Sequence, residues 1–260
     1  TGLALRLLER YTMTIPRKNH INHSSKLILM LCLVNLFSSP LQATEEYNGF
    51  SLSGSLVDST EVLHGGPPRD GIPALTSPAF VSSGQSIELA DDDQVLGLKL
   101  NGISKAYPVR ILNYHEIVND HFETSPVLIS YCPLCGTGMG FHAKLAQQTL
   151  TFGVSGLLYN SDVLMYDLQT ESLWSQIMAK AISGQLRAKQ LQTLPLEHTT
   201  WRDWKNRHPD TKVLSFETGF SRNYQRSPYG NYDQNERLYF PVKHRDRRYH
   251  PKEIVLGIEV

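Results

Sequence analysis

The sequence predicts an α+β fold: an antiparallel-rich β-sheet core with short helices and long loops. Three observations point to it. Asn101-Gly102 separates two short apolar runs, and this dipeptide between strand-like segments is the strongest local hairpin signal. Strand-like runs recur along the chain without long helices alternating between them, which excludes a doubly wound parallel sheet. The helical patterns present, at 111–118 and 199–208, are each only about two or three turns long.

In chain order, residues 44–69 are polar, carry Gly65-Gly66-Pro67-Pro68, and read as a flexible leader. A single α+β domain is expected over 70–260, opening on Asp70-Gly71-Ile72-Pro73-Ala74-Leu75. Val95-Leu96-Gly97-Leu98-Lys99-Leu100 and Ser104-Lys105-Ala106-Tyr107-Pro108-Val109 flank the Asn-Gly turn as hairpin strands. Ile111-Leu112-Asn113-Tyr114-His115-Glu116-Ile117-Val118 places apolar residues at helical spacing. Pro126-Val127-Leu128-Ile129-Ser130-Tyr131 reads as a buried strand, and further strands are expected at 138–142, 149–154, 162–167 and 212–217. Thr199 and Thr200 offer a hydroxyl cap to a helix that stops before Pro209. At the end of the chain, Val255-Leu256-Gly257-Ile258-Glu259-Val260 echoes the pattern of residues 95–100. A second hairpin would be only half present there and would leave an unpaired strand edge, so the domain is expected to be incomplete at its C-terminal side.

Residues 1–43 read as upstream residues and a signal peptide. Met13 is the expected start, and Arg17, Lys18 and Lys26 precede the apolar run Leu27 to Phe37, with a small-residue cleavage site ending at Ala43. That run is too short to span a bilayer, which takes about 20 residues, so no stable membrane span is expected after cleavage. A soluble protein in the periplasm or secreted is expected, in an oxidising compartment. The whole chain carries 25 basic and 25 acidic side chains; without residues 1–43, which hold five Lys or Arg and one Glu, 20 and 24 remain, a net charge of −4. That balance excludes nucleic acid as a partner. The basic run Lys243-His244-Arg245-Asp246-Arg247-Arg248 reads as a solvated loop.

Tyr131-Cys132-Pro133-Leu134-Cys135-Gly136 carries the chemistry. Two thiols three positions apart form a knuckle. Pro fixes φ at its start, Gly gives the backbone room to fold back, and turn N–H groups can stabilise thiolate charge. The only other cysteine, Cys32, lies in the signal segment. A four-sulfur cage within one mature chain is therefore impossible, and any intramolecular metal must complete its shell with His, Asp, Glu or solvent. A mixed, partly open site suits zinc or copper.

The order Asp70 to Leu75, Ala106-Tyr107-Pro108, His115-Glu116-Ile117-Val118-Asn119-Asp120, Tyr131 to Gly136, residues 153–162, Ser172-Leu173-Trp174-Ser175-Gln176 and His208-Pro209 resembles the domain of unknown function 3179 family of bacteria and archaea. The resemblance covers roughly residues 70–260. It implies an exported protein and a chain that continues further, but it implies no reaction.

Among the histidines, His115 is the best third ligand, one strand ahead of the knuckle in the His-Glu-Ile-Val-Asn-Asp stretch. His142 is closer in sequence but lies outside the family-like pattern. The bland alternative for His115 is a histidine that hydrogen-bonds across a helix end. Asn160, Asp162, Glu171 and Trp174 lie in a dense polar series and form a candidate pocket wall, with Asp162 or Glu171 as acid, base or ligand. Against this stands a buried polar network that only fixes loops, with Trp174, Trp201 and Trp204 in the core. No phosphate-cradling glycine loop and no nucleophile-elbow serine is present. Four readings stay open: a protein binding a single metal ion, a thiol–disulfide oxidoreductase, a metal-dependent enzyme, or a structural disulfide or zinc clip.

Overall fold

The structure, a computed structural model, describes residues 46–255, all within the compact unit Thr44–Val260. The expected signal peptide and residues 256–260 of the expected second hairpin lie outside the described residues. Short strands β1 (Glu46–Tyr47), β2 (Phe50–Ser51) and β3 (Val62–His64) come first. Next are β4 (Phe80–Ser82), β5 (Gln94–Leu100), β6 (Ile103–Pro108) and helix α1 (Val109–His115). β7 (Ile117–Phe122), β8 (Ser125–Cys132) and β9 (Thr137–His142) form a meander, followed by the small ladder of β10 (Lys144–Leu145) and β11 (Gln148–Thr149). β12 (Phe152–Tyr159), β13 (Asp162–Asp167), β14 (Leu173–Ser175) and β15 (Lys180–Ala181) continue the up-and-down path. β16 (Thr193–Leu194), β17 (Glu197–Thr200), helix α2 (Trp201–Arg207) and β18 (Lys212–Leu214) complete the regular structure.

Besides the two-stranded ladders β1-β2 and β10-β11, the described residues form three larger sheets, ordered β15-β14-β13-β12-β3, β16-β9-β8-β7 and β17-β5-β6-β18-β4. Their pairings are antiparallel except β18 against β6. The four-stranded sheet is the middle layer. Strand β8 alternates: Leu128 and Cys132 pack with Phe152, Val163 and Trp174 of the first sheet, whereas Val127 and Ile129 pack with Leu96 and Leu98 of the third and with Ile111 of α1. Burial on both faces explains why β8 reads as a continuous apolar run instead of an alternating one. Each fully buried Leu, Ile or Phe there contributes about 1.5–3 kcal/mol. Lys105 of β6 is buried against Asp120 of β7 (2.8 Å), and the Tyr107 hydroxyl donates to the same carboxylate (2.6 Å), pinning the third sheet to the middle one. The outer face of the third sheet is closed by Trp201 and Trp204 of α2.

The α+β, antiparallel-rich class is what the sequence predicts, with a larger share of strand. The Asn-Gly hairpin is present in full: Asn101 (φ 52°) and Gly102 (φ 79°) both adopt positive φ, and residues 95–100 pair with 103–108 in register. The 162–167 strand and the capped helix also occur, Thr200 accepting a hydrogen bond from the Asp203 N–H (3.3 Å). Three expectations are corrected. The stretch expected as a flexible leader holds β1 to β3, with β3 paired to β12. Its Phe50, Leu52 and Val62 cover the outer face of the first sheet, and scattered apolar residues in a polar background hid this role. The helix expected over 111–118 stops at His115, because Glu116 (φ 56°) turns the chain so that Ile117 and Val118 enter β7. The strand expected over 149–154 divides between β11 and β12. Among the described residues, no helix is long and apolar enough to cross a membrane.

Candidate metal centre

Two hairpin tips from different sheets meet at the candidate site. The first is the knuckle itself, the turn between β8 and β9. Cys132, the last residue of β8, pairs with Thr137, the first of β9, and Gly136 (φ 65°) turns the chain back. The second is the two-residue turn between β12 and β13, where Asn160 (φ 52°) and Ser161 (φ 65°) both adopt positive φ, as a type I′ turn requires. Such a conformation is unfavourable for Ser. The C-terminal segment holds it in place: Ser161 Oγ donates to the carbonyls of Phe240 (3.0 Å) and Pro241 (3.2 Å), and Asn160 Oδ1 accepts from the Lys243 N–H (2.7 Å). Asp162, first residue of β13, is thereby fixed beside the knuckle.

The contacts between the tips are short. Cys135 Sγ lies 3.3 Å from Asp162 Oδ1, and Cys132 Sγ lies 3.7 Å from the Ser161 carbonyl. One donor atom from each of Cys132, Cys135 and Asp162 lies within 4.8 Å of the others. Cys132 and Asp162 are buried, 1 % and 5 % exposed, while Cys135 is exposed. The thiols act as donors towards the Cys132 and Ser161 carbonyls and the Asp162 carboxylate. Among the described residues no turn N–H bonds to sulfur, contrary to the expectation for the knuckle. Asp162 Oδ2 accepts the Ile177 N–H (3.2 Å).

The electrostatics are one-signed. The Cys132 thiol is pushed well up by its hydrogen bond with Cys135, by burial, and by the charges of Cys135, Asp162 and Glu116. Burial raises the Asp162 carboxyl to about 6, against the pull of the Ile177 N–H and the Cys135 thiol. Glu116, buried nearby, is raised to about 7 by burial and by Asp162, although the Tyr229 hydroxyl pulls the other way. Among the described residues, no Lys, Arg or His forms an ion pair with either carboxyl. A cation seated between the donors would reverse every one of these shifts.

The donor set fits a small ion. A tetrahedral Zn²⁺ with sulfur at about 2.3 Å and oxygen at about 2.1 Å separates its ligands by about 3.5–3.8 Å, close to the 3.3 Å found between Cys135 Sγ and Asp162 Oδ1. Cys132, Cys135 and Asp162 could thus hold a metal ion. On the Cys135 side the set opens to solvent, which leaves a coordination position for water or a ligand.

The other sequence-predicted residues are placed elsewhere. His115 is not among the three donors: Nδ1 is bonded to the Pro73 carbonyl (2.8 Å) and Nε2 to the Tyr224 hydroxyl (2.6 Å). This is the bland alternative for a helix-end histidine, and its side chain is fully buried, which lowers its pKa. His142 sits at the far end of β9 from the knuckle, about 17 Å away along the strand. Glu171 is on the surface, paired with Arg69 (2.8 Å). Trp174 is fully buried in the core, its Nε1–H donating to Asp167 (2.9 Å). Asn160 shapes the turn that presents Asp162. Glu116, next to His115, is the site neighbour that the sequence reading missed. Continuous helical spacing through Val118 concealed the reversal that aims it inward.

An antiparallel-rich α+β domain carrying a partly buried Cys-Cys-Asp group at the meeting of two hairpins is the class that fold and site define. The chain belongs to the family described as protein of unknown function (DUF3179), which matches residues 69–260. No curated protein and no solved structure matches it.

Proposed function

We propose that this protein, exported to the periplasm or secreted, binds a single metal ion through Cys132, Cys135 and Asp162. The observation that carries the reading is the convergence of two thiols and a carboxylate, from separate sheets, at ligand spacing and, among the described residues, without an ion pair to a protein cation. Zn²⁺ is the first choice, because a mixed set of soft thiolates and a hard carboxylate suits it, whereas Cu(I) would use the thiolates alone. A bound Zn²⁺ would supply a Lewis-acid centre with one exchangeable position. The apolar run of residues 27–37 followed by a small-residue cleavage site supports export.

The oxidoreductase reading is weaker on two counts. An attacking thiol needs a low pKa, and Cys132 is pushed up. The segment after Cys135 is strand β9, not a helix whose N-terminus could stabilise a thiolate. The test is direct. Protein purified from its native compartment is expected to carry about one metal ion per chain, with two thiols that titrate only after chelation. The Cys132→Ser/Cys135→Ser variant is expected to carry none. A metal-free protein with a reducible disulfide would refute the proposal.

A further inference from the structure

A cavity of about 450 Å³ adjoins the Cys-Cys-Asp group. Leu134, from the middle of the knuckle, and Val163, next to Asp162, line it together with Leu157, Glu116 and Tyr229. Its volume is within the range of small-molecule sites, about 300–1,000 Å³. The walls are largely aliphatic and aromatic, and the one carboxyl among them is Glu116, itself only 6 % exposed.

Glu116 is unusual in its partners. Oε1 accepts from the Tyr229 hydroxyl (3.1 Å), and among the described residues no hydrogen bond reaches Oε2. Oε2 is not sealed in the core; Glu116 lines the cavity, where this oxygen is free to accept from a bound donor. The groups whose charge it feels are Asp162 and Cys132, both acids. A Zn²⁺ bound by two thiolates and a carboxylate would still leave that side of the cavity net negative. Arg237 lies on the exposed rim, where water screens it.

We infer that this cavity takes a small organic monoamine, its ammonium group bonded to Glu116 Oε2 and its apolar body against Leu157, Val163 and Leu134. This goes beyond metal binding and does not require it: recognition rests on Glu116 and on the shape of the cavity. A ligand seated there would lie beside the open side of the metal group.

The test uses benzylamine, benzyl alcohol and benzoate, three probes of one shape, titrated into the full chain at about pH 8, where Glu116 is largely ionised, and followed by ligand-observed NMR. Benzylamine is expected to bind about ten- to hundredfold more tightly than benzyl alcohol, the range of a charge-assisted hydrogen bond, with benzoate weakest. Glu116→Gln is expected to reduce the amine-to-alcohol ratio to near one. The Cys132→Ser/Cys135→Ser variant, which removes the thiolates but not Glu116, is expected to keep the preference. No binding of benzylamine, or a preference for benzoate, overturns the inference in the wild-type protein alone. Loss of the preference in the cysteine variant, with Glu116→Gln unchanged, would assign the amine to the metal; that outcome overturns this inference and leaves the metal proposal standing. Failure of metal binding with the Glu116-dependent preference intact does the reverse.

Discussion

Asp162→Asn tests the site through two opposite effects of one substitution. The Asp162 carboxyl is raised by burial from its ordinary 3.8 to about 6, a difference worth about 3 kcal/mol at 1.36 kcal/mol per unit. The sign follows from linkage. Below pH 3.8 the group is protonated in both states and contributes nothing. Between pH 3.8 and about 6 the unfolded chain ionises first, so stability falls as pH rises. Above about pH 6 both states are ionised and the whole cost remains. Asn never ionises, so in chelator the variant is expected to match the wild type near pH 4 and to exceed it by up to about 3 kcal/mol at pH 8. For a domain of this size that is a rise in melting temperature of about 6–12 °C. With metal present at about 1,000 times its dissociation constant the order reverses: the wild type gains about 4.1 kcal/mol, whereas the variant lacks one anionic ligand. Melting curves at pH 4 and pH 8, with and without Zn²⁺, give all four values. A variant less stable than the wild type at pH 8 in chelator, or one that responds to Zn²⁺ equally well, would refute the reasoning.

Two substitutions separate the core from the site. A Cβ at Gly97 would overlap Cε3, Cζ3 and Cδ2 of Trp204, all closer than 3.0 Å. That ring is fully buried and pinned by its Nε1–H bond to Thr211 (2.9 Å). Gly97→Ala is therefore expected to cost about 3 kcal/mol in urea unfolding, the upper end for overpacking, with metal content unchanged. Trp174→Phe keeps the ring but removes the donor to buried Asp167 Oδ2; calorimetry is expected to show a loss of about 1–3 kcal/mol, again with metal stoichiometry intact, as befits a core residue.

What could be read from the sequence was whatever local chemistry decides. Asn101-Gly102 specifies its own turn, and a two-residue link sets the strands either side in register with each other. The 162–167 strand and the Thr200 cap are of the same kind. What could not be read depended on distant chain. Phe50, Leu52 and Val62 look like stray apolar residues in a polar stretch until the first sheet offers them a face. The knuckle was evident, since two cysteines with Pro and Gly in five residues permit few other readings. Its partner was not. Asp162 is 27 positions from Cys135, and only the packing of two sheets brings their hairpin tips together. His115 and Glu116 show how one residue of register decides chemistry. The reversal at Glu116 sends the histidine to Pro73 and Tyr224 and the glutamate towards the cavity, and neither periodicity nor composition encodes that choice.

A purely architectural role for the cysteines explains the site less well than ligand binding does. The β8–β9 hairpin is closed by an unbroken ladder from Val127–His142 to Cys132–Thr137, so no ion is needed to form the knuckle. A clip between Cys132 and Cys135 alone would close a loop too short to restrict the unfolded chain much. Adding Asp162 closes a longer loop, worth about 3.6 kcal/mol on chain entropy. The same carboxylate, however, costs about 3 kcal/mol to bury ionised, from its rise to about 6. These nearly cancel. Apolar side chains at those positions would stabilise the meeting of the two hairpins at no such cost. Acidic groups there suit a cation better than they suit the fold, and a solvent-facing Cys135 beside a cavity is where a metal could accept another ligand.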